Sequence, residues 1–387
     1  METKWEYDLP TNEHSHDFDY ESPIFIKNNT IYFICKSEQR LQLHMIDVDS
    51  GTGKIENIPL GKQRISTSFF ILEYKEKIIF YTGDFYVYDQ SEILRITNLK
   101  RVEGTRGEVN SYLLHDCKLL FTTRDYLFCY DLDTLSLEWK VNISNANYIT
   151  GEITLFENTV ACYGDHELLL IEMESGKVSD RIKISRINKL FHPIRIDDEN
   201  ILIGYTNWTN AGVLKYNQKL KQVIWRNKRK FQGPQLKCKV YQQKEKIIWV
   251  KNSTELICLD IENGEEIYSV RTNPWLYTDL HFWGDNLLFG TSGRDGYINC
   301  IDVKSGKVNW SVFLKNGCAY FDIDRTTVLV GDFNKSIKQI EIKNGKILQD
   351  YQVDGEVVGD IKVYKDSVYT VIWGNADKPI RLIKVKI

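Results

Sequence analysis

A repeat with a period of about 42 residues constrains this chain more than any other feature of its sequence. In the clearest copy, one strand-like run ends at Asp302, a turn contains Gly306, and a second run carries Trp310. Aspartate caps tight turns through its side chain, and glycine supplies the positive φ angle that a hairpin needs. Each copy has such an acid or amide, which we call the anchor. The anchors are Asp47, Asp89, Asp131, Glu172, Asn217, Asp260, Asp302 and Glu341, with successive spacings of 42, 42, 41, 45, 43, 42 and 39 residues.

The residues that follow the anchors repeat as well. Five anchors have a glycine four positions later, namely Gly51, Gly176, Gly264, Gly306 and Gly345. Four have an aromatic residue eight positions later, namely Trp139, Trp225, Tyr268 and Trp310. This regularity indicates a repeat protein rather than chance.

The best copy contains four short runs rich in aromatic and β-branched residues. They are Leu276–Trp283, Asn286–Thr291, Gly296–Asp302 and Lys307–Phe313, and Gly-, Ser- and Asp-containing breaks separate them. Four strands in a period of 40–45 residues are typical of a β-propeller blade. The sequence therefore predicts an all-β fold, a single closed β-propeller of four-stranded blades that spans residues 1–387.

Both ends of the chain resemble parts of a blade. Lys4–Leu9 is similar to the outer strands Glu138–Ile143 and Asn309–Leu314, and residues 357–386 supply three further strands. We therefore expect a closing blade that takes three strands from the C-terminal end and one from the N-terminal end, which removes exposed strand edges. Eight anchors and this composite blade give nine repeats, with eight as the alternative.

Composition and charge limit the function. The formal net charge is −3, so no bulk charge favours nucleic acid or an anionic membrane. Met1–Pro10 lacks the apolar core of a signal peptide, and no stretch approaches the roughly 20 apolar residues of a membrane-spanning helix. We expect a cytoplasmic monomer.

Three cysteines lie two residues before an anchor: Cys129, Cys258 and Cys300. This recurrence favours a packing role over a chemical one.

The run Cys300–Trp310 resembles the tryptophan-docking repeat of the quinoprotein (PQQ-dependent) alcohol dehydrogenase superfamily, and weaker copies extend over nearly the whole chain. The resemblance implies that Trp5, Trp139, Trp225 and Trp310 dock neighbouring blades against each other, with Tyr268 as a substitute. The oxidoreductases of that superfamily are exported, bind calcium beside the quinone, and often contain a disulfide between adjacent cysteines. This chain has no export signal, no adjacent cysteines and no matching calcium-ligand set. The expectation is a non-enzymatic member without a cofactor.

One loop has residue types that could bind a metal. His14, His16, Asp17 and Asp19 lie within Asn12–Tyr20, and imidazole and carboxylate together can hold zinc or another divalent ion. A solvated connection between two blades explains the same residues, and we assign no metal site.

Loops on a rigid repeat scaffold are the usual place for recognition. The repeat register assigns several Arg and Trp residues, types enriched at binding hot spots, to the loops of one face. The predicted partner-binding residues are Arg101, Arg106, Arg124, Trp208, Arg229, Trp275 and Arg294. We expect a protein-interaction scaffold, of a partner-neutralising or an assembly type, whose partner is another, acidic protein. The alternatives are a small-molecule or sugar sensor and a PQQ-type oxidoreductase.

Overall fold

The computed structural model describes residues 2–9, 23–37, 40–59, 69–89, 92–97, 109–123, 125–143, 153–164, 167–184, 189–206, 210–230, 239–243, 247–251, 254–272, 275–374 and 380–387. Across these ranges the regular secondary structure is entirely β, in 35 strands. The loop with His14, His16, Asp17 and Asp19 lies outside the described residues.

The strands form four-stranded antiparallel units in chain order, which we number as blades. Blade 1 contains β2 (Phe25–Lys27), β3 (Thr30–Ser37), β4 (Arg40–Asp47) and β5 (Gly53–Ile58). Blade 2 contains β6 (Phe70–Tyr74), β7 (Lys77–Tyr81), β8 (Phe85–Asp89) and β9 (Glu92–Arg95). Blade 3 contains β10 (Ser111–His115), β11 (Lys118–Thr122), β12 (Tyr126–Asp131) and β13 (Ser136–Asn142). Blade 4 contains β14 (Ile153–Phe156), β15 (Thr159–Gly164), β16 (Glu167–Glu172) and β17 (Val178–Lys183).

The later blades follow the same order. Blade 5 contains β18 (Lys189–Arg195), β19 (Asn200–Thr206), β20 (Asn210–Asn217) and β21 (Gln222–Lys230). Blade 6 contains β22 (Lys239–Gln243), β23 (Ile247–Lys251), β24 (Glu255–Asp260) and β25 (Glu266–Arg271). Blade 7 contains β26 (His281–Trp283), β27 (Asn286–Gly290), β28 (Ser292–Asp302) and the first part of β29 (Val308–Asp324). Blade 8 contains the second part of β29, β30 (Thr327–Asp332), β31 (Ser336–Glu341) and β32 (Ile347–Gln352). Blade 9 contains β33 (Glu356–Tyr364), β34 (Ser367–Trp373), β35 (Ile380–Lys386) and β1 (Glu2–Asp8).

The described strands therefore make the nine repeats that the anchors predict. Blades 7 and 8 form one seven-stranded sheet, because the outer strand of blade 7 continues as the inner strand of blade 8. The chain separates into two compact regions, residues 1–97 with 273–387 and residues 98–272. Blades 1, 2, 7, 8 and 9 lie in the first region, and blades 3 to 6 lie in the second. The prediction of one domain over 1–387 stays a prediction.

In several blades the middle strands are largely buried, whereas the outer strand is not. In blade 3, β11 is buried throughout, whereas the outer strand β13 alternates between exposed and partly buried residues. This pattern arises because a blade packs against a neighbour on each face, as in stacked sheets. One apolar cluster, for example, joins Leu288 and Cys300 of blade 7 to Val328 and Ile340 of blade 8.

Every anchor is the last residue of the third strand of its blade, from Asp47 in β4 to Glu341 in β31. The Oδ1 atom of Asp302 accepts hydrogen bonds from the backbone N–H of Ser305 (2.8 Å) and of Lys304 (3.1 Å). The hydrogen bond from the Ser305 hydroxyl, together with these two backbone bonds, holds the pKa of Asp302 below its usual range. The predicted turn is therefore confirmed, and the anchor stabilises it by satisfying backbone donors.

The predicted docking tryptophans each lie against the following blade. Trp310 of blade 7 donates its indole N–H to the carbonyl of Ile342 in blade 8 (2.7 Å), and its ring covers Gly345. Equivalent bonds run from Trp5 to Val48 O (3.0 Å), from Trp139 to Met173 O (2.9 Å) and from Trp225 to Ile261 O (3.2 Å). In all four cases the acceptor follows the anchor of the next blade and the ring covers the glycine of that turn. The four indole rings therefore pack between neighbouring blades and have a structural role.

The closing blade is also confirmed. Strand β1 pairs antiparallel with β35, with Trp5 opposite Lys384 and Glu6 opposite Ile383. Arg381, which is buried, forms an ion pair with Glu6 and donates to the carbonyl of Asp354 (2.8 Å). The N-terminal strand is therefore held by main-chain pairing, by an indole and by a charge pair.

The inner strand of blade 7 differs from the sequence-based expectation. The predicted strand Leu276–Trp283 is regular only over β26, and Leu276 forms an isolated bridge with Thr291. The break occurs because the Thr278 hydroxyl accepts the N–H of Gly290 at 2.7 Å, where a backbone carbonyl would continue the ladder.

Candidate interaction face

The structure describes only part of the predicted partner-binding set. Arg101, Arg106, Arg124 and Trp208 lie outside the described residues. Arg294 lies within β28 and Arg229 lies near the end of β21. Trp275 lies in the segment that precedes the first strand of blade 7. Arg229 and Trp275 lie in different compact regions. The set as a whole therefore stays a prediction, and the following geometry concerns its described members.

Trp275 and Tyr277 form what we call the aromatic pair of blade 7. Their exposed fractions are 61% and 55%, while Leu276 between them is only 7% exposed. An extended backbone sends alternate side chains to opposite sides, so a buried Leu276 leaves both aromatic rings on the outer side. Trp and Tyr are among the residue types enriched at binding hot spots, and these two are the most exposed aromatic side chains among the described residues.

The backbone beneath the pair is fixed to the sheet. Ser292 N donates to Trp275 O at 2.9 Å, and Tyr277 N donates to Gly290 O at 3.0 Å. These two bonds flank the bridge between Leu276 and Thr291. The rings therefore project from a segment that is paired like a short additional strand, and little conformational entropy remains to be lost when a ligand contacts them.

Close glycine packing stiffens the hairpin that holds this segment. A Cβ atom on Gly296 would lie 2.2 Å from the Cα atom of Gly317, and one on Gly290 would lie 2.6 Å from the Sγ atom of Cys318. Cys318 N also donates to Thr291 O at 3.0 Å. The loop of blade 7 is consequently packed against the start of blade 8 within one continuous sheet.

The charges close to the aromatic pair are mixed in sign. Asp295 lies opposite Lys315 in the β28–β29 ladder, and both residues are exposed, as is Asp279 beyond Tyr277. In the other compact region, Arg229 forms an ion pair with Glu266. The described charges around the aromatic pair are therefore of both signs and not predominantly cationic.

Sequence reasoning included Trp275 but missed Tyr277. The signal was present, because two aromatic residues flank a leucine in W-L-Y, a pattern of alternate residues on one side of a strand. The repeat register placed Trp275 in a loop and Tyr277 near the start of the predicted strand Leu276–Trp283, so only Trp275 entered the predicted set.

Titratable residues also occur on the inner strands of blades 7 to 9. Burial lowers the pKa of His281 on β26 and raises the pKa of Asp360 on β33. Asp322 on β29 accepts the backbone N–H of Val363 at 2.9 Å. Within the described part of the chain, no group of three or more His, Cys, Asp or Glu side chains is arranged to hold a metal ion.

The recurrent cysteines lie in the packed interior. Cys129, Cys258 and Cys300 are fully buried, and burial raises their thiol pKa values to about 12, 11 and 11. Thiols with such pKa values are poor nucleophiles at neutral pH, which agrees with a packing role.

The sequence matches no protein-family model and no curated protein. Solved structures do share the fold. One is the computationally designed protein Ika8, which is 14% identical over 81% of this chain and 95% of its own, with a TM-score of 0.53. Another is BamB from Moraxella catarrhalis, 14% identical over 82% of this chain and 94% of its own, with a TM-score of 0.52. At this identity the likeness shows the fold alone, and the fold is a β-propeller.

No helix that could cross a lipid bilayer is present in the described ranges.

Proposed function

We propose that this protein is a non-catalytic, cytoplasmic interaction scaffold of the PQQ-like propeller type, and that it binds another protein through the loop face that carries the aromatic pair of blade 7. The observation that carries this proposal is the exposure of Trp275 and Tyr277, 61% and 55%, on a backbone that is hydrogen-bonded into the sheet. A rigid aromatic anchor contributes strongly to protein association, because it buries a large area at low entropic cost.

The partner that fits this face combines an apolar contact with charges around it. The aromatic pair supplies the centre, and exposed Asp295, Lys315 and Asp279 supply a polar surround. Arg101, Arg106 and Arg124 remain the predicted source of attraction for an acidic partner. Charges at the rim of an interface steer association and set its salt dependence more than its affinity.

The test is a comparison of capture by immobilised wild-type protein and by Trp275→Ala/Tyr277→Ala from a lysate of the native host. Leu220→Ala is the matched control, since Leu220 is 59% exposed on a turn of the other compact region. We expect the aromatic variant to lose a specific protein that wild type and the Leu220 variant both retain. Equal capture by all three folded proteins would reject this face.

The electrostatic part needs a separate variant. Arg106→Glu/Arg124→Glu/Arg294→Glu reverses three charges of the predicted set, and the captured partner is measured at two ionic strengths. A protein that binds an acidic partner should bind more slowly after charge reversal, with the larger difference at low salt. An unchanged association rate at both salt concentrations would assign binding to the aromatic pair alone.

A further inference from the structure

One segment of the chain has a charge that its overall composition does not show. Residues 200–244 contain ten Lys or Arg residues and no Asp or Glu, in a chain whose 50 basic and 53 acidic residues nearly balance. The positive charge is densest in β21, the outer strand of blade 5, which ends in R-N-K-R-K. Among the nine described outer strands, no other has more than two basic residues.

Only part of this charge is neutralised by the protein itself. Arg229 forms an ion pair with Glu266 of blade 6. Arg226 and Lys228 are exposed, and neither has a carboxylate at ion-pairing distance in the part of the chain that the structure describes. These two cations are therefore available to a partner.

Arg226 and Lys228 lie on one face of β21. Trp225 packs against the apolar cluster shared with blade 6, and side chains alternate along a strand, so the two cations lie on the opposite face. Their spacing along the strand is roughly 6–7 Å, the distance between alternate residues. The guanidinium of Arg226 lies over the ring of Tyr205, 5.3 Å from its centroid, which restricts its motion.

The main chain is open at the same two residues. Within the described ranges β21 is the last strand of its sheet, and it pairs with β20. The carbonyl of Asn227 accepts the Tyr205 hydroxyl at 3.0 Å and so points into the blade. Because main-chain groups alternate in direction along an antiparallel strand, those of Arg226 and Lys228 point to the open side. We call this side of β21, with Arg226 and Lys228, the basic edge.

Two other uses of the basic edge fit the structure less well. Charged side chains protect exposed strands against pairing between copies, but β32 of blade 8 is also the last strand of its sheet and has no basic residue. Single-stranded nucleic acid needs aromatic rings on which bases stack, and the one aromatic residue of β21, Trp225, packs toward blade 6.

We propose that the basic edge binds an extended acidic segment of a partner protein, which pairs with β21 as a fifth strand of blade 5. Free main-chain groups of β21 supply the hydrogen bonds, as in other cases of strand addition. Carboxylates at alternate positions of the added strand lie opposite Arg226 and Lys228, which is a favourable cross-strand pairing. This site is additional to the aromatic pair, which belongs to the other compact region.

The probe is a fluorescent peptide of sequence TEVETEVS, in which every second residue is glutamate, and binding to the full chain is measured by fluorescence anisotropy. We expect saturable binding that weakens as the salt concentration rises, because salt screens exposed charges. Two further peptides have methyl groups on alternate backbone nitrogens, one on the glutamates and the other on the residues between them. Both keep the charge, but only one keeps the row of N–H groups that faces β21. Their affinities should therefore differ by about tenfold or more.

Substitution identifies the site of binding. Arg226→Glu/Lys228→Glu should weaken binding of the unmethylated peptide by about tenfold or more, since attraction becomes repulsion. Lys343→Glu/Lys346→Glu makes the same change in net charge at exposed residues of blade 8 and should bind the peptide like wild type. Thermal unfolding verifies that both variants are folded.

The aromatic pair provides a check of independence. Trp275→Ala/Tyr277→Ala should bind the peptide like wild type, so that a failure of the basic edge does not bear on the face of blade 7.

Four outcomes would overturn the proposal. The first is no binding at the highest soluble peptide concentration, which would leave protection of the edge as the role of the charges. The second is equal affinity for the two methylated peptides, which would indicate attraction by charge without strand pairing. The third is equal weakening by both charge-reversal variants. The fourth is a single-stranded RNA oligonucleotide that binds the basic edge more tightly than the peptide and displaces it.

Discussion

Four residues after the anchor, the backbone adopts a positive φ angle in every anchored blade except blade 2, whether or not glycine is present. Gly345 has φ +73°, while Leu135 and Lys221 have φ +54° and +52° at the same position of their blades. A side chain costs roughly 1–2 kcal/mol in this region because Cβ approaches the carbonyl oxygen. Glycine is therefore needed less for the turn than for the indole, which a Cβ at Gly345 would meet at 2.6 Å.

This distinction can be measured with two glycines. Gly284 has φ +58°, and a Cβ atom added there would meet nothing within 4 Å, so Gly284→Ala reports the backbone cost alone. We expect urea unfolding to show a loss of about 1 kcal/mol for Gly284→Ala and of about 2–4 kcal/mol for Gly345→Ala, since the latter also displaces Trp310. Equal losses would mean that the indole adapts without cost.

His44 makes folding sensitive to acid. Its side chain is fully buried, its Nδ1 atom lies 3.1 Å from the Tyr7 hydroxyl, and its Nε2 atom has no hydrogen-bond partner among the residues that the structure describes. Burial lowers its pKa to about 4 from the ordinary 6.5. The unfolded chain therefore binds a proton between these two values while the folded protein does not, so stability falls as the pH decreases from 6.5 to 4.

We expect this single group to remove up to about 3 kcal/mol of unfolding free energy across that pH range. The measurement is urea unfolding at several pH values for wild type and for His44→Gln, which cannot titrate. The glutamine variant should show a shallower pH dependence between pH 6.5 and 4. Parallel curves would assign the acid sensitivity to other groups.

At the scale of the element, docking between two blades involves two positions: the tryptophan of one blade and the glycine that its ring covers on the next blade. Blades 4 and 5 form a junction without an indole, where Asp180 lies opposite Leu170, two positions before the anchor. Trp310 has the same pairing position in blade 7, opposite Cys300. The Asp180 carboxylate lies 3.5 Å from the Nζ atom of Lys221, which stands where the next blade elsewhere has glycine. An exposed ion pair of this kind contributes little to stability, typically 0–1 kcal/mol.

A docking pair can therefore be built at this junction. Asp180→Trp alone meets a side chain at Lys221, and Lys221→Gly alone leaves a gap, so only the double variant gains the packing. We expect a favourable coupling free energy of about 1–2 kcal/mol in a double-mutant cycle measured by urea unfolding. Additive effects would show that the indole needs more of its surroundings than the opposing glycine.

The sequence predicted where the third strand of each blade ends. It did not predict where a single-residue bulge is absent from an outer strand. Each anchor ends a third strand because its side chain caps the turn, which is a local effect visible in the sequence. A fixed offset of eight residues from Asp47 reaches Ile55, whereas the residue that pairs with Met45, as Trp310 pairs with Cys300, is Lys54, because the outer strand of blade 1 has no bulge there. A missing bulge is a matter of strand pairing, and neither propensity nor composition records it.

The candidate face was less predictable than the fold. Tyr277 is exposed and precedes the regular strand β26, beside Thr278, whose hydroxyl accepts the N–H of Gly290, 12 residues away. The charge of Arg229 is compensated by Glu266 on the neighbouring blade, a contact that the repeat register does not indicate. The candidate face depends on such individual contacts, whereas the repeat pattern predicts only the features that all blades have in common.

At the scale of the whole molecule, strand β1 joins the two ends of the chain in blade 9. Its removal takes Trp5 from Gly51, Glu6 from Arg381 and Tyr7 from His44. Arg381 has only 7% of its side chain exposed, so loss of Glu6 leaves a buried charge with fewer partners. The strand therefore stabilises several neighbours at once.

We expect deletion of residues 1–10 to lower the unfolding free energy by at least about 3–5 kcal/mol, the usual cost of removing one large aromatic side chain from a core. A synthetic peptide of residues 1–10 should restore the melting temperature in a concentration-dependent manner. Trp5→Ala keeps the strand and separates the indole from the main-chain pairing. A truncated protein that melts like wild type would contradict this role of β1.

The ion pair between Glu6 and Arg381 spans 375 positions of the sequence, which has a consequence for synthesis. A ribosome adds roughly 5–20 residues per second, so β1 emerges some 20–75 seconds before the strand with which it pairs. During that interval β1 has no partner strand within blade 9. Of the nine blades, blade 9 is therefore the one whose strands are furthest separated in time during synthesis.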